Sequence, residues 1–384
     1  MPTFSRRTFT GALGAGLGAT LMGPRFLGSA AFARPRVLSG GSVLLDSNEN
    51  PYGPSPAALA AMTRSQARAS RYPDALERDV IEALARDHKV APEQVVLGCG
   101  SGEILRMADQ AFLAPGKTVV AAEPTFEAVL LYARVTKAEP VKVPLDAEFR
   151  HDLPKMAAAC DARTALVYVC NPNNPTGTVV SGDALGAFLT RVPKTAVVLV
   201  DEAYHHFVED AGYRSASEWL PRTPNLVVVR TFSKVYGLAG MRLGYAVSSP
   251  ENARALREHQ LWSNANGAVL EAALVSLQDP AHVADQRKRN RDTRAWLSAE
   301  LAKDGRRVIP SETNFVMIDV GRDVVPIIDA LKSRSVLVGR KFPSLANWLR
   351  VSIGTPPEME TFVAALRAVL PVATAVGGEP AATR

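Results

Sequence analysis

The sequence predicts an α/β protein: a mostly parallel β-sheet sandwiched by helices, followed by a smaller C-terminal α/β domain. Two observations carry this. Short, wholly apolar runs alternate with stretches of helical periodicity through the middle of the chain, as strands buried on both faces require. Beyond a long segment with a polar helical face, a second, shorter strand and helix pattern begins.

Taken in order, residues 44–56 read as an extended arm, and residues 75–88 place Leu76, Val80, Ile81 and Leu84 on one helical face. Residues 95–97, 118–122, 165–169, 196–200, 225–230 and 243–247 read as buried strands. A long helix is expected over 280–304. After it come strands at 307–309 and 314–319, a helix at 324–333, strands at 336–338 and 348–352, and a helix at 358–370. The expected division is a leader (1–33), an arm (34–60), a large domain (61–280), a small domain (281–370) and a flexible tail (371–384). The arm is expected to pack on the small domain or to cross to a second subunit.

At 384 residues and 47% hydrophobic content, the chain has ample material for a large core. The formal charge is +6, but Arg6, Arg7 and Arg25 lie in a leader without acidic residues, which leaves 41 basic against 38 acidic groups. Nucleic-acid binding is not expected from so mild an excess, and Arg287-Lys288-Arg289 reads as the solvated face of a helix. Cys99, Cys160 and Cys170 form neither a disulfide framework nor a zinc pattern, so free and mostly buried thiols are expected. No HExxH-type spacing accompanies His205-His206, and no metal site is expected.

Ser5-Arg6-Arg7-Thr8-Phe9-Thr10 precedes a weakly apolar stretch from Gly11 to Met22, and Ala31-Phe32-Ala33 supplies a small-x-small pattern. This resembles a twin-arginine signal peptide, which implies export of the folded protein to the periplasm by the twin-arginine machinery and cleavage after Ala33. The apolar stretch is too short and too rich in glycine for stable insertion across about 30 Å of hydrocarbon.

Val95 to Glu103 combines a strand, the turn Gly98-Cys99-Gly100-Ser101-Gly102 and a helix start, and Glu123 ends the next strand. Alone, this fits a nucleotide site of a dehydrogenase or of an S-adenosylmethionine-dependent methyltransferase. Free N–H groups and the helix dipole at such a turn favour any anion, however, so the turn specifies a phosphate-like group without specifying which.

Four features then follow in fixed order. They are Asn171-Pro172-Asn173-Asn174-Pro175-Thr176-Gly177, Asp201-Glu202-Ala203-Tyr204, Thr231-Phe232-Ser233-Lys234, and Arg242 eight residues on. In this ordered set the sequence resembles the class I/II pyridoxal-phosphate-dependent aminotransferases of fold type I, which implies seven strands in the mostly parallel sheet of the large domain. Asn48-Glu49-Asn50-Pro51-Tyr52-Gly53, Arg71-Tyr72-Pro73 and Leu349-Arg350-Val351-Ser352-Ile353-Gly354-Thr355 make it most similar to their histidinol-phosphate aminotransferase group.

The residue types suit that cofactor. A lysine such as Lys234 forms a Schiff base with an aldehyde and afterwards moves a proton, provided burial or a nearby cation lowers its pKa. Asp201, ending an apolar strand, is placed to pair with the pyridine nitrogen. Ser101, Gly102, Thr231, Ser233 and Arg242 are phosphate donors. The resemblance implies that Asn174 and Tyr204 hydrogen-bond the ring oxygen, that Phe126 stacks on the ring, and that Tyr72 reaches the phosphate from the second subunit of a homodimer. It also implies that Arg350 takes the substrate's carboxylate or phosphate, with Arg340, Asn48 and Tyr52 as further substrate contacts. Catalysis is expected from Lys234, Asp201 and Tyr204. The expected reaction moves an amino group between an amino acid, or an amine like histidinol phosphate, and a 2-oxo acid. A lyase, racemase or cyclising deaminase would share Lys234 and Asp201, and a binding protein without catalysis could share the fold.

Overall fold

The computed structural model describes residues 41–371; the arginine pair, the apolar stretch, Ala31-Phe32-Ala33 and residues 372–384 lie outside that range. Its first half runs β1 (Val43–Leu45), α1 (Pro56–Ser65), α2 (Asp74–His88), β2 (Val95–Gly98), α3 (Ser101–Phe112), β3 (Thr118–Glu123), α4 (Ala128–Thr136), β4 (Glu139–Pro144), α5 (Leu153–Ala158) and β5 (Thr164–Cys170). There follow α6 (Gly182–Arg191), β6 (Val197–Asp201), β7 (Leu226–Thr231), β8 (Gly244–Ser248), α7 (Pro250–Arg257), α8 (Gly267–Leu277) and α9 (Pro280–Lys303). The C-terminal part adds β9 (Val308–Ile309), β10 (Phe315–Asp319), α10 (Val325–Lys332), β11 (Val336–Val338), β12 (Trp348–Ser352) and α11 (Pro356–Val369).

A seven-stranded sheet in the order β2-β8-β7-β6-β5-β3-β4 forms the large domain. Only β8 runs antiparallel to its neighbours β2 and β7. The central strands are Val- and Leu-rich because both of their faces are covered. Period-two alternation sends Leu166, Tyr168 and Leu199 into a core with Ile104 and Val129 of α3 and α4. Val167, Val169, Val198 and Val200 enter the opposite core with Leu185 and Phe188 of α6. Strand β4 departs from the sequence expectation. It is a polar edge strand, Glu-Pro-Val-Lys-Val-Pro, whose charges and prolines protect the edge and conceal the apolar signal used to find the others.

In the small domain, β12, β10 and β9 form an antiparallel sheet covered by Leu297 and Leu301 of α9 and Phe362 and Leu366 of α11. The arm packs on this domain: β1 pairs in parallel with β11, and Leu45 enters the same core. Farther along the arm, Asn50 Nδ2 donates to the Val235 carbonyl of the large domain at 3.0 Å. The arm thus ties the two domains together. Arg287-Lys288-Arg289 lies on α9 with its side chains exposed or paired to acids. The three thiols are free, but only Cys170 is buried; Cys99 is exposed because it sits in the turn before α3. Among the described residues no helix is long and apolar enough to cross a membrane.

Candidate active site

The carboxyl ends of β2, β3, β5, β6 and β7 open on one rim of the sheet, where open α/β sheets collect functional groups. Because β8 is reversed, its amino end, just after Arg242, meets the same rim. A cavity of about 550 Å³ lies there between the rim, the arm and β12. It is lined by Ser101, Gly102, Phe126, Asn174, Asp201, Tyr204, Thr231, Ser233, Lys234, Arg242, Arg350 and Asn48.

One end is a cup of hydrogen-bond donors. Helix α3 begins at Ser101, so the N–H groups of its first turn lack intrahelical acceptors and its positive dipole end faces the cavity. Arg242 Nη1 donates to Ser233 Oγ at 3.2 Å and to the Ala239 carbonyl at 2.9 Å, while Thr231 Oγ1 donates to Ser233 Oγ at 2.9 Å. Arg242 itself holds a left-handed backbone (φ 63°), a strained conformation of the kind that collects at functional sites. The glycine of the turn has a steric role: Gly100 has φ +73°, and a Cβ there would lie 2.0 Å from Arg242 Nη2. Gly244 lets β8 approach, since its Cβ would meet the Ser101 nitrogen at 2.3 Å.

At the centre stand an acid and an amine. Asp201 is buried at the end of β6; its Oδ2 accepts from Tyr168 Oη at 3.0 Å and its Oδ1 from the Ala203 N–H at 3.1 Å. Burial pushes this carboxyl up to about 6, with the Tyr168 hydrogen bond opposing the shift. Lys234 Nζ donates to the Asn48 carbonyl at 3.0 Å. Burial, reinforced by the Arg350 guanidinium, pushes it down to about 8. Tyr204 Oη accepts from Asn48 Nδ2 at 3.1 Å, which leaves its own O–H to donate elsewhere.

The far wall carries Arg350 on β12. Its Nη1 donates to Asn174 Oδ1 at 2.8 Å and its Nη2 to the Asp46 carbonyl at 2.7 Å. Its Nε is buried and has no partner among the described residues. A guanidinium in that condition lacks an acceptor. Asn48, which also has a left-handed backbone (φ 53°), is fixed by Ser352 Oγ, which accepts from its N–H at 2.8 Å and donates to its Oδ1 at 3.1 Å.

The profile of the family described as aminotransferase class I and II matches residues 41–366. The chain belongs to the class I and II aminotransferases. It is 40% identical over 331 residues to the histidinol-phosphate aminotransferase of Moorella thermoacetica, covering 85% of each chain. It is 42% identical over 330 residues to that of Symbiobacterium thermophilum, covering 85% of this chain and 90% of the relative. Among solved structures, the histidinol-phosphate aminotransferase of Sinorhizobium meliloti in complex with pyridoxal-5′-phosphate superposes with a TM-score of 0.81 at 28% identity, covering 86% of this chain and 90% of that one.

Three of the residues expected in the site of this aminotransferase lie outside the cavity. Tyr72 is 83% exposed, on the rim of a separate surface groove with Leu261 and Trp262. Tyr52 sits in a small pocket with Gln286 and Asn290, its ring 4.8 Å from the Arg289 guanidinium, so it braces the arm against α9. Arg340 points outward and pairs with Glu127 at 2.5 Å. Glu123, the acid a nucleotide site would direct at a ribose, is bound instead to Lys142 at 2.9 Å and Ser344 at 3.0 Å.

Other residues enter to which the sequence reading gave no role. Tyr168 reaches Asp201 from β5 and had read only as a strand residue. Ser352 orients Asn48, and Glu49 and Asp46 line the cavity from the arm. Behind Asp201, Glu202 and Arg230 form a buried ion pair at 3.0 Å, with Glu202 also accepting from Ser215 Oγ and the Ala216 N–H. A Glu next to a motif Asp and an Arg inside an apolar strand were the available signals for that pair.

Proposed function

We propose that this aminotransferase uses the cavity at the sheet rim to hold pyridoxal 5′-phosphate, with Lys234 as its covalent anchor, and moves an amino group between an amino acid and a 2-oxo acid. The observation that carries the reading is the convergence in one cavity of a downshifted lysine, a buried acid held by neutral donors, and a donor cup at a helix N-terminus. When bound, pyridoxal 5′-phosphate supplies an aldehyde that captures amines and a ring that accepts electrons.

The residues present fit that group. Ser101, Gly102, Thr231, Ser233 and Arg242 would hold the phosphate with the helix dipole behind it. Asp201, whose ionised form burial disfavours, would retain a proton at the ring nitrogen. Asn174 and Tyr204 would donate to the ring oxygen and Phe126 would cover one ring face. Lys234 Nζ would take a proton from the substrate Cα and return it at C4′.

Arg350 is the proposed anchor for the substrate's anion, because its unpaired Nε calls for an acceptor. A carboxylate satisfies it, and so does the phosphate of an amine like histidinol phosphate. The twin-arginine pattern Arg6-Arg7 supports export to the periplasm, away from cytosolic biosynthesis, and favours an amino acid as substrate. A homodimer is proposed in which Tyr72 of one subunit completes the phosphate site of the other; exposed Tyr72, Leu261 and Trp262 form an apolar surface suited to burial against a second copy.

Borohydride reduction of the purified, cofactor-loaded protein and peptide mapping test the anchor: the cofactor mass must appear on the Lys234 peptide. A mass-spectrometric screen of donor and acceptor pairs tests the reaction. Turnover of a single amino acid without an acceptor would point to a lyase, racemase or deaminase instead. No turnover with any pair, together with no reducible adduct, would leave a binding protein.

A further inference from the structure

We propose that Tyr168 is a positioning residue: its phenol holds Asp201 in the ionised form and fixed orientation that the ring nitrogen of the cofactor needs. The inference rests on the pyridoxal-phosphate reading above and extends it to a residue outside the sequence motifs. Tyr168 pairs with Leu199 across β5 and β6, and Cys170 pairs with Asp201. Tyr168 and Asp201 are therefore diagonal neighbours on one face of the sheet, a spacing that a tyrosine spans.

The rest of the Tyr168 side chain is fully buried among Ile104, Leu199 and Val229. A phenylalanine would satisfy that packing. A hydroxyl buried there is costly unless bonded, and it donates to Asp201 Oδ2 at 3.0 Å, with the Cys170 thiol as its other polar neighbour. The carboxylate is thus the acceptor that accounts for its presence. The Ala203 N–H takes the other oxygen at 3.1 Å, so two donors fix the plane of the carboxylate. The remaining ionisable groups facing Asp201 are Glu202 and Tyr204 on its own strand end, Cys170 on β5 and Lys234 after β7. None of them donates a hydrogen bond to it among the described residues; the Cys170 thiol donates to the Pro172 carbonyl at 3.3 Å. Tyr168 is the side chain that most opposes the burial of this acid, ahead of the Lys234 charge, since a hydrogen bond to a carboxylate favours the charged form. Without it the proton moves toward Asp201 and away from the ring nitrogen.

The test uses the full-length holoenzyme, loaded with cofactor carrying ¹⁵N in the ring, and follows the ring-nitrogen chemical shift against pH. At a fixed pH where the site holds one proton, that shift reports how the proton is shared between the ring nitrogen and Asp201. Tyr168→Phe keeps the aromatic packing and is expected to move the shift toward that of an unprotonated ring and to lower kcat by about tenfold, with KM for the oxo acid nearly unchanged. Fluorotyrosine placed at position 168 alone, a stronger donor of the same shape, is expected to move the shift the other way. An unchanged shift in Tyr168→Phe overturns the proposal, whatever happens to melting temperature. If that variant does not fold, an unchanged shift with fluorotyrosine overturns it. Failure of the wild-type protein to bind the cofactor at all overturns the functional reading instead, and the two failures are separate observations.

Discussion

Lys234 must lose its proton before it can attack an aldehyde, and its surroundings set how often that happens. Burial and the Arg350 guanidinium drive the ammonium down to about 8; Glu49 opposes them, Arg242 assists, and Asp201 opposes. At pH 7 such an amine is neutral about one time in ten, against about one time in three thousand for a lysine at its ordinary 10.5. Cofactor capture by the stripped protein should therefore run about 300-fold faster near neutrality than an unshifted lysine permits. The assay is stopped-flow mixing of cofactor-free protein with excess pyridoxal 5′-phosphate, reading the visible absorbance of the bound cofactor over a range of pH. The rate constant should climb about tenfold per pH unit and level off near 8. Glu49→Gln removes a carboxylate that favours the charged amine, so the break moves to lower pH. Arg350→Met removes a repelling cation, so the break moves higher. A wild-type break at or above pH 10, or a shift of both variants in the same direction, would refute the electrostatic account.

Three further outcomes are expected. Asp201 has a folded-state pKa raised from 3.8 to about 6, so its cost to stability is absent below the first value and complete above the second; Asp201→Asn should raise the melting temperature of the cofactor-free protein above pH 6 and not near pH 4, while kcat of the loaded enzyme falls about a hundredfold. A calorimetric gain that is equal at both pH values would contradict this. Glu202→Ala leaves the buried Arg230 guanidinium without its counter-ion, and urea denaturation should show a loss of about 3 kcal/mol or more; a loss under about 1 kcal/mol would mean that the pair is dispensable. Gly100→Ala places a methyl group against Arg242 on a left-handed backbone, and fluorescence titration should show cofactor Kd rising at least about tenfold; an unchanged Kd would remove Arg242 from the phosphate cup.

What the sequence made legible follows from what local chemistry encodes. Strands β2, β3 and β5 to β8 were readable because burial on both faces demands unbroken apolar runs, while β4, exposed and charged, carries no such run. Helix α1 was passed over although Ser55 caps it and Pro56 opens it, because its alanine-rich face gives weak periodicity. The cavity residues found from sequence are those in motifs at strand ends, where residue type and position are tied together. Tyr168 and Ser352 escaped because their partners, Asp201 and Asn48, are 33 and 304 residues away, and no local pattern records a contact at that range. Tyr52 and Arg340 were drawn into the site by neighbouring motif residues, whereas the backbone turns them toward α9 and toward Glu127.

The lone reversed strand decides where the guanidinium can be used. A run of five residues such as β8 covers about 16 Å, so laid in the common direction it would deliver Arg242 to the underside of the sheet, a full strand length from Asp201 and Lys234. Inverting one segment brings a side chain from the start of a strand beside others from the finishes of its neighbours. Any redesign that restores uniform polarity to this sheet must therefore find a guanidinium for this rim on a different element.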